Sequence, residues 1–220
     1  MRTFAGLCVC LALLTSLGAA APKQHVISFG KWTTVKLLAG DDEGTAVTIK
    51  VRPLLVDGRT KEFTTGARHD VTDRQYVVQR AYRLNDLLPQ DDGPTPRWRW
   101  ERGGWLLVDR ISGGVQPIAL PAFDAYFWAV TWFRDYAAYC GVSEDGKKVF
   151  TVVAQLGKRK PLLKKVVGDG NSPIKSCDGP SWLRAPACVT FEPAGEQKFT
   201  FTVRSHAVAL VPENEDEDGD

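Results

Sequence analysis

Only three histidines, His25, His69 and His206, occur in the 220 residues, each isolated in sequence. A nucleophilic triad needs a base beside a hydroxyl, but its members need not be neighbours in the chain. His69-Asp70 with Ser172 is the combination from which such a site would start. With dispersed Asp and Glu side chains it would make the chain a hydrolase. The local marks of that chemistry are missing. There is no Gly-x-Ser-x-Gly elbow, phosphate-binding loop, dinucleotide fingerprint or His-Glu-x-x-His pair. Asp41-Asp42-Glu43 and Asp91-Asp92 sit in Gly-bearing stretches where acids serve the turn itself. Asp169-Gly170-Asn171 opens like a calcium loop but lacks the later ligands and the closing glutamate. No cofactor and no metal are expected, and a non-enzymatic role is favoured over an enzyme.

Three cysteines lie outside the apolar N-terminal run: Cys140, Cys177 and Cys188. Cys177 and Cys188 flank a short loop, residues 178–187. The expectation is a disulfide between them, contributing about 2–3 kcal/mol by the chain-entropy model. Cys140 follows Tyr136-Ala137-Ala138-Tyr139, and its expected role is a buried free thiol acting as a small hydrophobe. Neither Cys-x-x-Cys nor zinc-like spacing is present.

The chemistry that remains is binding. In Arg97-Trp98-Arg99-Trp100-Glu101-Arg102-Gly103-Gly104-Trp105, a strand would put Trp98 and Trp100 on one face and Arg97, Arg99 and Glu101 on the other. Buried, these indoles would fill a core. Exposed, they would offer flat rings for stacking, with Arg99 and Arg102 as donors and Trp32 and Trp182 extending the surface. Lys147, Lys148, Lys158, Arg159, Lys160, Lys164 and Lys165 form the strongest basic cluster. A hairpin over 147–165 would gather these charges at its two turns and along one face. They would either protect a sheet edge or bind an anionic polymer or a membrane surface. The candidate ligand-binding set is Trp98, Trp100, Trp105, Lys158, Arg159 and Lys160. The partners it would suit are an anionic polymer, a polysaccharide or a protein.

Positioning these side chains falls to strands. Val47, Ile49 and Val51 alternate with Thr48 and Lys50, and Phe199, Phe201 and Val203 alternate with Thr200, Thr202 and Arg204, the period of half-buried antiparallel strands. Asp57-Gly58, Asp92-Gly93, Asp145-Gly146, Asp169-Gly170 and Asp178-Gly179 punctuate the chain with dipeptides suited to tight hairpin turns. Residues 122–140 contain no Pro or Gly and hold eight aromatics. They read either as one helix ended by Gly141, or as two strands, 126–132 and 136–142, around a turn at Arg134-Asp135. The fold class is therefore all-β: antiparallel hairpins or a meander, propeller-blade-like or a β-sandwich, with 122–140 the one place for a helix.

Residues 105–120 and 149–164 form a faint repeat at an offset of 44, with Gly113 matching Gly157 and Pro117 matching Pro161. That spacing suits a four-stranded propeller blade. Val130-Thr131-Trp132, Tyr136-Ala137-Ala138-Tyr139 and Ser143-Glu144-Asp145-Gly146-Lys147-Lys148-Val149-Phe150 resemble a blade of the secreted β-propeller repeats with a Trp-Ser-Pro-Asp-Gly-Lys core. Glu144 stands at the usual proline. The resemblance covers about residues 97–165. It implies hairpin architecture and carries no catalytic residue, because such propellers host many functions.

At 44% apolar, 25% charged and 10% aromatic, the chain is unlike collagen, a coiled coil or a disordered protein. Residues 1–20 read as a signal peptide. Arg2 precedes an apolar run over 4–17, too short for a helix of about 20 residues to span a bilayer. Small residues follow, with cleavage expected after Ala20. Residues 213–220 carry six acids and no base, and are expected to be a disordered tail. Setting aside that tail and Arg2 leaves 27 bases against 20 acids in a single β-rich domain, 21–212. The protein is expected to be exported, periplasmic or secreted, as a non-enzymatic binding or interaction module. The alternatives are an envelope or extracellular scaffold without a small ligand, or the hydrolase built on His69.

Overall fold

The computed structural model describes residues 24–37, 47–85, 96, 98–169, 177, 179–193, 197–204 and 207–210. The expected leader and tail, Ser172, His206, the acidic runs 41–43 and 91–92 and Asp92-Gly93 lie outside these residues. Those described form fifteen strands in three antiparallel sheets, with no helix among them.

The first sheet contains β1 (Ile27–Phe29), β2 (Thr33–Lys36), β3 (Thr48–Val56), β4 (Arg59–Asp70), β5 (Gln75–Asn85), β6 (Trp98–Asp109) and β7 (Val115–Ile118). β1 and β2 share one edge of β3 in tandem, opposite its two halves. The break falls at Pro53, which has no N–H to give an edge partner. The Gly30 amide donates to the Pro53 carbonyl there, at 2.9 Å. β3 turns into β4 through Asp57-Gly58, whose φ values of 52° and 76° are those of a two-residue type I′ hairpin. The sheet curls until its edges approach each other. Leu37 bridges Trp100, and the His25 amide lies 3.5 Å from the Ile111 carbonyl. Leu54, Tyr76, Val78, Leu106 and Val108 form a core under Ile27, Phe29 and Val115.

The second sheet is a meander of β8 (Val130–Phe133), β9 (Tyr136–Val142), β10 (Lys148–Gln155) and β11 (Leu163–Asp169). The third is a meander of β12 (Ser181–Leu183), β13 (Cys188–Phe191), β14 (Phe199–Arg204) and β15 (Ala207–Leu210). Period two divides β9 between two cores. Ala138 and Cys140 pack with Val153 against Val189, Phe191, Phe201 and Val203 of the third sheet. Ala137 and Tyr139 pack with Phe150, Val152 and Ala154 under Leu120, Phe123 and Trp132. The second sheet is thus covered on both faces, which explains why its strands read as near-continuous apolar runs.

Residues 122–140 therefore carry strands. The turn falls at Arg134-Asp135, with Arg134 at φ 54°, and β9 spans the expected 136–142. The preceding strand begins only at Val130. The chain before it turns at Asp124, whose carboxylate accepts the Tyr126 amide at 2.8 Å. The two four-stranded meanders have the strand count of a blade. The first sheet, with seven, does not, and the described pairings form no ring of such units.

The cysteine assignment is corrected by the structure. Cys140 is bonded to Cys177, with Cα atoms 6.3 Å apart, and Cys188 is the free, buried thiol. The reason is facial. Cys140 points from β9 into the core between the second and third sheets, where Cys177 packs. Cys188 is fixed as a strand residue, opposite Leu183 and Thr202. Closeness in sequence gave the wrong partner because a strand, and not a free loop, holds one of the two cysteines.

Candidate functional site

Two hairpins wall an open cleft of about 480 Å³. One is β6–β7, contributing Leu107, Gln116, Pro117 and Ile118, followed by Leu120 and Pro121. The other is β10 with the turn after it, contributing Ala154, Gln155, Leu156, Lys158 and Arg159. Trp132 of β8 and Ala137 of β9 also line it. These walls are the two copies of the offset-44 repeat. Their matched glycines, Gly113 and Gly157, both adopt left-handed backbone, φ 66° and 75°, at the hairpin turns. L side chains rarely tolerate that conformation.

Local chemistry fixes each wall. The Asp109 carboxylate accepts the amides of Ile111 and Ser112 and the guanidinium of Arg74. Arg74, and then those amides, hold the carboxyl well below the ordinary range. On the other side, the Gln155 side-chain amide donates to Asp135 Oδ2 at 2.8 Å, and the Leu156 amide donates to the Asp135 carbonyl at 2.9 Å. The rim between Leu120 and Trp132 is set by Gly141. A Cβ there would lie 2.5 Å from the Ala122 carbonyl oxygen, which instead accepts the Val142 amide.

Trp132 is held from the first sheet. Trp105 meets it edge-on at 5.3 Å between centroids, and His69 stacks on it at 6.2 Å. His69 Nε2–H donates to the Arg134 carbonyl at 2.8 Å. A carbonyl only accepts, so Nε2 carries the proton and is occupied by that bond. His69 thus pins the β8–β9 turn to β4. Asp70 points to Arg68 and Arg110, and Ser172 lies outside the described residues.

The expected binding set divides. Lys158 and Arg159 line the cleft, and Lys160 is exposed beside them. Trp105 is only 8% exposed and serves as the buried support of Trp132. Trp98 is 49% exposed, under the Arg83 guanidinium at 4.2 Å. Trp100 packs on Ile49, Val51 and Ala81. Trp98 and Trp100 start β6, and Trp98 lies nine residues from Leu107, about 30 Å along a strand. The structure does not bring them to the lysines. A bulge turns Trp105 to the face of Trp98 and Trp100, where Trp132 meets it and it is buried. Gln79 pairs with Trp105 but Ala81 pairs with Arg102, so β6 carries one extra residue around Gly103-Gly104. Lys164 and Lys165, expected on one face, sit on edge strand β11 and point to opposite faces, over Phe150 and Phe199 at 4.0 and 4.2 Å.

Sequence reasoning missed Trp132, Gln116 and Gln155. The one signal pointing to them was the repeat, whose copies pair as walls. Among the described residues, no group of three or more His, Cys, Asp or Glu side chains is placed to hold a metal ion. Comparison with family models, curated proteins and solved structures returns no match.

Proposed function

We propose that this chain is an exported, non-enzymatic β-module that binds an acidic polysaccharide in the cleft between its two repeat hairpins. The observation that carries the proposal is the placement of Lys158 and Arg159 at the edge of an apolar trough lined by Trp132, Leu107, Ile118 and Leu120. Sugar rings present apolar C–H faces that pack on such a surface, while the two cations pair with acidic groups on the polymer. An open cleft suits a chain that passes through it better than a small enclosed ligand. Export is supported by the Cys140–Cys177 bond, which persists in oxidising compartments. Among the described residues, no helix is long and apolar enough to cross a membrane.

The test is affinity for a polyuronate against neutral dextran at low salt. Lys158→Glu combined with Arg159→Glu should weaken polyuronate binding at least about tenfold, since opposed charges become like charges. Equal binding of the wild-type chain to the neutral polymer, or unchanged affinity in the double variant, would contradict the proposal.

A further inference from the structure

A second cluster of charge lies in the curled first sheet, on residues the cleft does not use. Tyr76 is 1% exposed, and its hydroxyl is buried with no hydrogen-bond partner. Its ring lies beneath two guanidinium groups, Arg110 at 5.2 Å and Arg68 at 5.4 Å from the centroid. Arg52 is held by Phe29 at 3.8 Å and by the half-exposed Trp32 at 4.2 Å, and its buried Nε–H also has no acceptor. Burial raises the Tyr76 hydroxyl above an ordinary phenol, while the charges of Arg68, Arg110 and Arg52 oppose that rise, and Phe29, which carries Arg52, lies 6.0 Å from the Tyr76 ring. Among the described residues one carboxylate answers them: Asp70, paired with Arg110 and Arg68.

Two features set this cluster apart from ordinary surface arginines. Buried donors are nearly always satisfied, yet the Tyr76 hydroxyl and the Arg52 Nε–H are both left unpaired, and among the described residues Arg52 supplies the one cationic donor so left. Three guanidinium groups against one carboxylate also leave two positive charges uncompensated among the described residues. Arg68 keeps about half of its side chain accessible, so one guanidinium of the cluster faces solvent.

We infer that Arg52, Arg68, Arg110 and the Tyr76 hydroxyl form a receptor for one dianionic tetrahedral oxyanion. That group is a free sulfate or phosphate ion, or the end of a phosphate monoester. Guanidinium forks match such oxygens in geometry, and the hydroxyl supplies a further donor. The stacked Trp32 and Phe29 hold Arg52 in place before the anion arrives. The site stands apart from the cleft and does not depend on it.

The test is calorimetric titration of the intact chain with sodium sulfate, sodium phosphate at pH 8 and glucose 6-phosphate, each against chloride at equal ionic strength. Saturable one-to-one binding of at least one of them is expected, and the tightest identifies the source of the group. Tyr76→Phe and Arg68→Gln should each weaken binding about tenfold, the effect of losing one charge-assisted hydrogen bond. Tyr76→Phe should melt no lower than wild type without the anion, because it removes an unsatisfied hydroxyl and keeps the ring. Lys158→Glu with Arg159→Glu should leave this binding unchanged, so failure here and failure of the cleft are separable. No saturable binding by any of the three, or equal affinity in Tyr76→Phe and Arg68→Gln, would overturn the inference.

Discussion

Cys177→Ser and Cys188→Ser distinguish the bond seen here from the one that sequence spacing favours. The Cys140–Cys177 link closes a separation of 37 residues. For a loop of that size, the chain-entropy model gives about 4 kcal/mol. In a domain of this length each kcal/mol moves the melting temperature by about 2–4 °C. Cys177→Ser should therefore melt roughly 8–16 °C lower without reductant, and reductant should change it little further. Cys188→Ser exchanges one buried atom beside the Thr202 hydroxyl, which lies 3.7 Å from the sulfur. Its loss should be about 1 kcal/mol, and its melt should still respond to reductant. Melting curves with and without reductant, and non-reducing peptide maps, read both effects. A map joining Cys177 to Cys188, or a melt of Cys188→Ser that no longer responds to reductant, would refute the assignment.

Gly141→Ala should destabilise the chain by about 1–3 kcal/mol in urea unfolding and weaken the cleft, because its Cβ would displace the segment bearing Leu120 and Pro121. His69→Ala should cost about 1–2 kcal/mol in the same assay, through loss of the stack on Trp132 and the bond to Arg134. Asp109, held low first by Arg74, stabilises the folded state above its unfolded value near pH ~4 and loses that contribution as pH falls below it. Acid unfolding of Asp109→Asn should therefore show a flatter limb below that pH, and an unchanged limb would count against the Asp109 turn.

The sheets were legible where a residue's neighbours in sequence decide its face. The alternation around Val51 and Phe201, the Asp57-Gly58 turn and the Arg134-Asp135 turn all follow from local chemistry, and all stand in the structure. What stayed hidden depends on contacts between distant strands. One extra residue opposite Gln79 turns Trp105 to the side of Trp98 and Trp100, and Trp132 then buries it, which no local pattern announces. Cys188 lies closer in sequence to Cys177 than Cys140 does, but pleating and sheet stacking decide which sulfurs meet. The cleft pairs residues near 107–121 with residues near 132–159, so only the repeat hinted at it. Arg52, Arg68, Tyr76 and Arg110 come from four separate places in the chain and show no pattern before the sheet curls.

The salt dependence of polyuronate affinity, compared between the wild-type chain and Lys158→Gln with Arg159→Gln, tests the cleft most directly. Each cation paired with a polyanion contributes about 0.7–0.9 to the slope of log affinity against log salt through counterion release. Binding through these two side chains predicts a slope shallower by about 1.5 in the double variant, together with weaker binding at low salt. The same slope in both proteins would place the polymer elsewhere and contradict the assignment of the cleft.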